Sequence, residues 1–389
     1  MRFVHDTLPQ RVCFGSGQAA ANLSNEVRDL GAARVMLIAA KNEMHLADTI
    51  AQDVPVALHY DDVVMHVPVE VAVRAREAAA SRGIDALVSV GGGSTTGLAK
   101  AIALTSGLPI VAVPTTYAGS EATTVWGLTE GARKTTGTDR RVLPKVVVYD
   151  ATLTMSLPVD MSVASGLNAL AHCVDSLWGP HADPINAALA AEGIRSLRSG
   201  LPRVVEDPMD LDGRENALYA AYLSAVAFAS AGSGLHHKIC HVLGGKYNLP
   251  HAQTHATVLP YVLAFNGPAA PDAERRIATA LNDTALNDTA LNDTALNDTA
   301  LNDTGLKDTG RNGTGSGANG ALDGLVAFKE ELDAPHALAD YGFTEDSVAE
   351  AAEAILPSVP ESNPRPVTVE DLRTLLRAAW SGADPRTVF

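Results

Sequence analysis

The sequence predicts two domains, an α/β domain with a parallel sheet followed by an all-α domain. The chain has 389 residues, and one domain commonly takes about 150 residues. Up to Asp150, short apolar runs alternate with helical patterns, which is typical of a parallel sheet covered on both faces. Beyond Pro158 the chain is rich in Ala and Leu with helical spacing and shows no convincing strand. We therefore place the domains at residues 1–155 and 156–389.

Five apolar runs in the first domain are expected strands: Arg11–Phe14, Val35–Ala39, Val56–His59, Ala86–Val90 and Pro109–Val113. The intervening helical patterns are Gln18–Leu30, Val69–Ser81 and Thr95–Ser106. Pro68 stands at the start of the second helix, where a proline is tolerated because that position needs no N–H donor. Thr123–Thr129 and Val146–Asp150 are expected to form a small antiparallel addition.

A repetitive segment interrupts the second domain. The pentapeptide LNDTA occurs four times in Leu281–Ala300 and then decays toward Gly315. On a helix, a period of five advances about 140° per repeat, so the leucines would not share a face. Asn, Asp and Thr also favour turns over helices. We predict a low-complexity insertion at residues 281–320, in a surface loop.

Composition excludes several classes of protein. The net charge of −16 argues against nucleic acid or an anionic membrane surface as the main partner. No run approaches the roughly 20 apolar residues of a membrane span, and the N-terminus lacks the apolar core of a signal peptide. Cys13, Cys173 and Cys240 are far apart and form no CxxC pair, which argues against a disulfide framework. These patterns predict a cytoplasmic protein.

A glycine-rich turn follows the fourth expected strand, in the sequence SVGGGSTTGLAK of Ser89–Lys100. Glycines let backbone N–H groups approach a phosphate closely, and a helix N-terminus adds partial positive charge. The turn also lies at the carboxyl end of a sheet strand, where ligands bind in α/β folds. The alternative is a tight turn without a ligand. The residues predicted to bind a cofactor phosphate are Gly91, Gly92, Gly93, Ser94 and Thr95.

The loop Pro114–Glu121, PTTYAGSE, follows the next strand and begins at the same sheet edge. Alone it could be a polar loop with capping residues. Beside the glycine turn, it is expected to line one crevice and to bind the cofactor through Thr115, Thr116, Tyr117 and Ser120.

The end of the second strand is informative about the cofactor. A carboxylate there would select NADH by holding the ribose 2′-hydroxyl. Val35–Ala40 ends without Asp or Glu, and Lys41 follows. This pattern leaves both NADH and NADPH open.

The stretch Leu235–His255 holds five of the twelve histidines, two lysines and no acidic residue. A local cationic island in an acidic chain indicates a site for an anion. His237 and His241 are four residues apart and share a helix face, and His251 follows Pro250 at an expected helix start.

Histidines with this spacing converge on either a metal or an acid–base site. Imidazole suits iron or zinc, but Asn168, four residues before His172, stands where a carboxylate ligand would be wanted. We therefore favour a site without a metal, in which protonated histidines and Lys238 serve anion binding and proton transfer. His236 and His255 are expected to play supporting or structural roles.

These motifs resemble the maleylacetate reductase branch of the iron-containing alcohol dehydrogenase superfamily. The resemblance covers nearly the whole chain apart from the repeats, and its segments are GGGSTTGLAK, PTTYAGSE, GLNALAHCVDSLW, HHKICHVLGGKYNLPHAQTHA and NPRP. It implies a Rossmann-like N-terminal domain, an all-α C-terminal domain of the dehydroquinate synthase-like type, and an active-site cleft between them. It also makes a homodimer plausible.

The resemblance also implies roles for individual residues. Superfamily members bind iron or zinc with an aspartate and three histidines, which His172, His237 and His251 match. Asn168 replaces the aspartate, and Gly97 likewise replaces an aspartate of metal-dependent relatives. Both departures resemble this branch and argue against a metal. His241 matches a superfamily histidine that lies beside the nicotinamide. Lys134 matches a lysine of the small hairpin that contacts the cofactor.

The implied reaction is the NADH- or NADPH-dependent reduction of the carbon–carbon double bond of maleylacetate to 3-oxoadipate, in aromatic-compound breakdown. Its substrate is a small dicarboxylate, which suits a cleft lined by histidines and Lys238. We expect His172, His237, His241 and His251 to line the site, with His241 as the proton donor. The alternatives are a metal-dependent alcohol or polyol dehydrogenase of the same superfamily and an inactive ligand-binding or assembly protein.

Overall fold

The computed structural model describes residues 2–131, 133–282 and 320–389. An N-terminal α/β domain with a six-stranded parallel sheet precedes an all-α C-terminal domain, which confirms the predicted fold class. Nearly all of the predicted insertion lies outside the described residues. The helix that leads into it extends to Asn282, and Leu281 is buried in the core.

The strands of the first domain are β1 (Arg11–Phe14), β2 (Val35–Ile38), β3 (Val56–Tyr60), β4 (Ala86–Gly91), β5 (Ile110–Pro114), β6 (Val125–Glu130), β7 (Arg133–Thr138) and β8 (Val146–Tyr149). Its helices are α1 (Ala19–Asp29), α2 (Met44–Ile50), α3 (Val69–Ser81) and α4 (Gly93–Ser106). The sheet order is β1-β8-β5-β4-β2-β3, and β6 and β7 form a separate antiparallel hairpin. Strands β2, β4, β5 and β8 are buried along their whole length, as expected for a parallel sheet with both faces covered.

Strand β8 corrects one prediction. The segment was expected to join a small antiparallel addition, but it lies inside the parallel sheet between β1 and β5. Val146 is opposite Arg11 on one side and Val111 on the other. Two parallel strands need a long crossover connection between them. The hairpin β6–β7 is part of the connection that brings the four buried apolar residues of β8 back to the sheet. The antiparallel partner of β6 is therefore β7.

The central strands β4 and β5 bring the two predicted cofactor loops together. The last residue of β4, Gly91, is paired with the last residue of β5, Pro114. The glycine turn and the loop after β5 thus start side by side at the carboxyl edge of the sheet, where α/β folds bind their ligands.

The second domain consists of α5 (Val159–Ser176), α6 (Pro184–Glu206), α7 (Leu211–Ala231), α8 (Leu235–Tyr247), α9 (His251–Asn266), α10 (Pro271–Asn282), α11 (Ala321–Glu331), α12 (Val348–Ile355) and α13 (Val369–Ser381). Side chains satisfy several helix starts: Asp183 accepts from the first turn of α6, and Thr368 and Asp371 form a capping box on α13. Helix α5 is buried from Ser162 to Ser176, so it is the centre of this domain.

Helices α7 and α8 meet at a bend of 101°. Gly232, in the break, has φ of 82°, a conformation that favours glycine. In the part of the chain that the structure describes, no single helix is long and apolar enough to cross a membrane. Helices α7 and α8 reach that length and composition only together, across the bend.

Candidate active site

The glycine turn has the predicted strand–turn–helix form, because β4 ends at Gly91 and α4 begins at Gly93. Gly91 has φ of 147°, and a Cβ there would lie 2.6 Å from Oγ1 of Thr95. Gly92, Gly93 and Ser94 are half-buried. The first N–H groups of a helix have no partner within the helix. The turn therefore offers backbone donors suited to a phosphate.

The loop after β5 packs directly on the glycine turn. A Cβ at Gly92 would lie 3.0 Å from Cγ2 of Thr116, and one at Gly93 would lie 3.4 Å from Cβ of Ala118. The hydroxyl of Thr115 donates to Oε1 of Glu43 at 2.7 Å. The two loops thus form one surface.

Two residues of this loop form contacts with the protein interior instead. The ring of Tyr117 is fully buried, its N–H donates to Oγ of Ser165 at 3.1 Å, and its hydroxyl accepts from Arg214 at 3.2 Å. The carbonyl of Ser120 accepts from Nζ of the buried Lys100. The expectation that the Tyr117 side chain contacts a cofactor does not fit this burial. Both residues anchor the loop.

Gly119 joins the loop to the histidines. Its φ is 76°, and a Cβ there would lie 2.8 Å from Cβ of Ala225 and 3.6 Å from Cε1 of His172. The absence of a side chain lets the loop approach both α7 and α5. The predicted cofactor loops and the histidine region therefore meet at the boundary between the two domains.

A cavity of about 300 Å³ lies between the hairpin and the end of α8; its lining residues are His66, Thr129, Gly131, Gly244, Gly245, Lys246 and Asn248. The hairpin strand β7 also carries Lys134, whose side chain is outside the described part of the chain. This cavity lies on the same interdomain boundary.

The four predicted site histidines come together with His255 on the other side of this boundary. His172 stacks on His237 with ring centroids 4.8 Å apart. His255 lies 4.8 Å from His237 and 4.3 Å from His251, and His241 lies 6.1 Å from His237. Helices α5, α8 and α9 each contribute to this cluster, which we call the histidine cluster and which includes His236.

Asp175 is a site residue that the sequence reasoning missed. Its buried Oδ2 lies 2.7 Å from Nδ1 of His237 and accepts the backbone N–H groups of Gly234 and His237, both at 3.1 Å. This carboxylate of α5 thus also accepts hydrogen bonds from backbone N–H groups at the start of α8 that have no partner within that helix. The available signal was its position three residues after His172 on one helix.

Several buried polar atoms of the cluster lack a hydrogen-bond partner within the described part of the chain: Oδ1 of Asn168, Nδ1 of His172, Nδ1 of His236, Nε2 of His237 and Nε2 of His255. Nitrogen atoms of His236, His237 and His255 all lie within 4.8 Å of one another. Imidazole nitrogens in such a group fit an iron or zinc ion. Two of these three residues were expected only to support the site, so this group is a second candidate ligand set beside His172, His237 and His251.

Burial governs the protonation of the cluster. It lowers the pKa of His172 to about 4 and that of His236 to about 3, and it lowers the pKa of His237 and His255 well below the usual value. At neutral pH these four imidazoles are therefore uncharged. The expectation that protonated histidines form a cationic island does not hold for them.

Lys238 and His241 are less buried than His236 and His237 on the same helix α8. Both are half-buried, whereas His236 and His237 are fully buried. They are three residues apart, so they share one side of the helix. A lysine and a half-buried imidazole therefore lie together beside the buried histidines.

Models of known families match both domains. Residues 9–151 match the model described as iron-containing alcohol dehydrogenase. Residues 162–380 match the C-terminal model of the Fe-containing alcohol dehydrogenase family. Together the two matches cover most of the chain.

Curated relatives and solved structures agree along the full length. The chain is 41% identical to the maleylacetate reductase of Pseudomonas sp. (strain P51) over 99% of this chain and 100% of the relative. It is also 41% identical to that of Sphingobium indicum, with both chains fully covered. An iron-containing alcohol dehydrogenase from Corynebacterium glutamicum is 57% identical with a TM-score of 0.89, covering 100% of this chain and 99% of the other. Maleylacetate reductase from Agrobacterium tumefaciens is 37% identical with a TM-score of 0.85, covering 99% and 100%.

Proposed function

This chain belongs to the iron-containing alcohol dehydrogenase family, and we propose that it reduces the carbon–carbon double bond of maleylacetate to 3-oxoadipate with NADH or NADPH. The structural observation that carries the proposal is the junction at Gly119. There the loop after β5, which packs on the glycine turn, comes within contact distance of His172 in the histidine cluster. A hydride donor and its acceptor must share such a site.

The first domain would hold the cofactor. Backbone N–H groups at Gly91–Ser94 would bind the pyrophosphate, supported by the N-terminus of α4. Thr115 and Thr116 line the adjacent loop. Bound NADH or NADPH supplies the hydride.

The second domain would bind and protonate the substrate. Maleylacetate is a dianion whose double bond is conjugated to a ketone. Hydride adds to the carbon far from the ketone, negative charge develops on the ketone oxygen, and a proton then bonds to the carbon next to the ketone. We assign the proton transfer to His241 and the binding of a substrate carboxylate to Lys238, because both are half-buried, lie three residues apart on α8 and neighbour the buried histidines.

Neutral histidines of the cluster can hold either a metal or a hydrogen-bonded substrate. An iron or zinc ion would be held by His236, His237 and His255, or by His172 and His251 with His237, and would polarise the ketone oxygen. Asn168 offers an amide where a carboxylate would bind such an ion more strongly. Because an enone is already activated for hydride addition, we propose turnover without a metal.

A spectrophotometric assay tests the reaction. The purified chain should oxidise NADH or NADPH only when maleylacetate is present, with 3-oxoadipate as the product. Turnover should survive dialysis against a chelator. If activity is lost with the chelator and one iron or zinc per chain is found, the metal-free proposal is wrong. Oxidation of an alcohol or polyol without maleylacetate reduction would favour the alternative dehydrogenase function.

We further propose that the protein works in the cytoplasm as a homodimer, as its family resemblance suggests. Light scattering coupled to size exclusion gives the mass in solution. A mass of about one chain at assay concentration would contradict the dimer.

A further inference from the structure

Glu43 occupies the turn between β2 and α2 and reaches both predicted cofactor loops. Its Oε1 accepts from the hydroxyl of Thr115 at 2.7 Å. Its Oε2 lies 2.8 Å from the point where a Cβ would stand at Gly91. One half-buried carboxylate thus touches residues at the ends of β4 and β5 while its own backbone follows β2.

The carboxylate forms no ion pair within the part of the chain that the structure describes. Among the described residues no lysine, arginine or histidine forms an ion pair with Glu43, and Thr115 provides its only side-chain hydrogen bond. A carboxylate has about four acceptor positions, so Glu43 can accept further hydrogen bonds from the hydroxyls of a ligand beside its bond from Thr115. A hydrogen bond to Thr115 alone would be served equally by a neutral side chain.

Strand order places this carboxylate on the ribose side of the turn. In the sheet, β2 neighbours β4 on the side opposite β5. In dinucleotide-binding folds the adenosine ribose lies near an acidic residue that follows the strand next to the phosphate turn. The sequence showed no acid at the immediate end of β2, but Glu43, five residues beyond Ile38, delivers one from the turn.

We propose that Glu43 selects NADH over NADPH. Its carboxylate would accept hydrogen bonds from the hydroxyls of the adenosine ribose and would repel the 2′-phosphate of NADPH. This inference rests on the proposed function, because it assumes that the glycine turn binds a nicotinamide dinucleotide.

The test compares the wild-type chain with Glu43→Gln, which keeps an oxygen acceptor for Thr115 but removes the charge. Dissociation constants for NADH and NADPH are measured by fluorescence titration without substrate, and kcat/KM is measured for each with maleylacetate. The wild type should bind NADH more tightly than NADPH. In the variant, the ratio of the NADPH to the NADH dissociation constant should fall about tenfold, chiefly because NADPH binds more tightly. In Glu43→Asp the side chain is one methylene shorter, so the carboxylate lies farther from the ribose. This variant should show a smaller fall in the same ratio.

Asp53→Asn is the matched control, since Asp53 is exposed on the same domain and the substitution removes the same charge. Its preference should equal that of the wild type. A wild type without preference, or an unchanged ratio in folded Glu43→Gln, overturns the inference. Binding of neither dinucleotide overturns the proposed function and the inference together. If both bind but maleylacetate is not reduced, the ratio of dissociation constants still decides the role of Glu43.

Discussion

At the scale of single residues, the carboxylate of Asp175 determines which nitrogen of His237 can serve a ligand. Burial raises the pKa of Asp175 to about 6, yet it stays ionised at neutral pH because Trp178, Gly234 and His237 all donate to it. The proton of the neutral imidazole therefore lies on Nδ1, and Nε2 presents a lone pair. A Cβ at Gly234 would lie 2.5 Å from Oδ1, so only glycine leaves room for this contact.

Replacing Asp175 with Asn should lower kcat/KM by about 10- to 100-fold, as is common when a carboxylate that orients a histidine is lost. The amide nitrogen would face N–H donors at either position, Trp178 at the place of Oδ1 or Gly234 and His237 at the place of Oδ2. The His237 tautomer would no longer be fixed. Nitrogen-15 NMR of the histidines reports the tautomer independently of activity. The matched control is Asp160→Asn, an exposed position on the same helix, which should change neither measurement. Unchanged kinetics and an unchanged spectrum in Asp175→Asn would contradict the assignment.

At the scale of elements, helix α9 depends on a lysine from α11. Pro260 lies inside α9, and proline has no N–H to donate. The carbonyl of Ala256, four residues earlier, therefore loses its helical partner. Nζ of the buried Lys329 donates to that carbonyl and to the carbonyl of Pro335. Helix α11 thus supports the helix that carries His251 and His255.

Lys329→Met should destabilise the fold by about 1–3 kcal/mol, because the buried carbonyl of Ala256 is left unpaired. Pro260→Ala supplies a new N–H at that place, so the double variant should be more stable than the sum of the single effects predicts. Urea unfolding of all three variants measures the difference. The exposed Lys145→Met serves as the control for loss of a lysine. Strict additivity would show that Lys329 does not replace the missing helical bond.

Element boundaries were predictable where a local signal fixes them. Helix α3 has the predicted bounds, because Pro68 sets its start and the apolar spacing continues to Ser81. Helix α2 has only seven residues, too few for a clear period, and was not predicted. The pairing of β8 was predicted wrongly, because a short apolar run does not reveal which strands it lies between.

At the scale of the whole molecule, the buried histidine cluster makes stability depend on pH. The unfolded pKa of histidine is about 6.5, whereas burial lowers that of folded His172 to about 4 and that of His236 to about 3. Between these values the unfolded chain binds more protons than the folded chain, so stability falls as the pH falls. Asp175, with its pKa raised to about 6, acts in the opposite direction but is a single group against four histidines.

The wild type, dialysed against chelator, should therefore lose stability between pH 7 and pH 5. The free energy of unfolding of His172→Phe should fall by about 2 kcal/mol less than that of the wild type over this interval, because one buried group no longer titrates. The new ring would pack beside Phe228, whose ring lies 4.8 Å from that of His172. Urea unfolding at both pH values measures the effect, and the exposed His45→Asn is the control. Equal losses in wild type and His172→Phe would contradict it.

The sequence by itself determined the fold class, the strand–turn–helix at Gly91 and the shared helix face of His237 and His241. These features depend on spacing along the chain, which hydrophobic periodicity and helix geometry reveal directly. Only the tertiary structure decided the neighbours of the site. Asp175 meets His237 across 62 residues, and Glu43 meets Thr115 across 72. Desolvation and contacts between distant residues depend on which elements pack together, so the charge of the histidine cluster could not be predicted from the sequence.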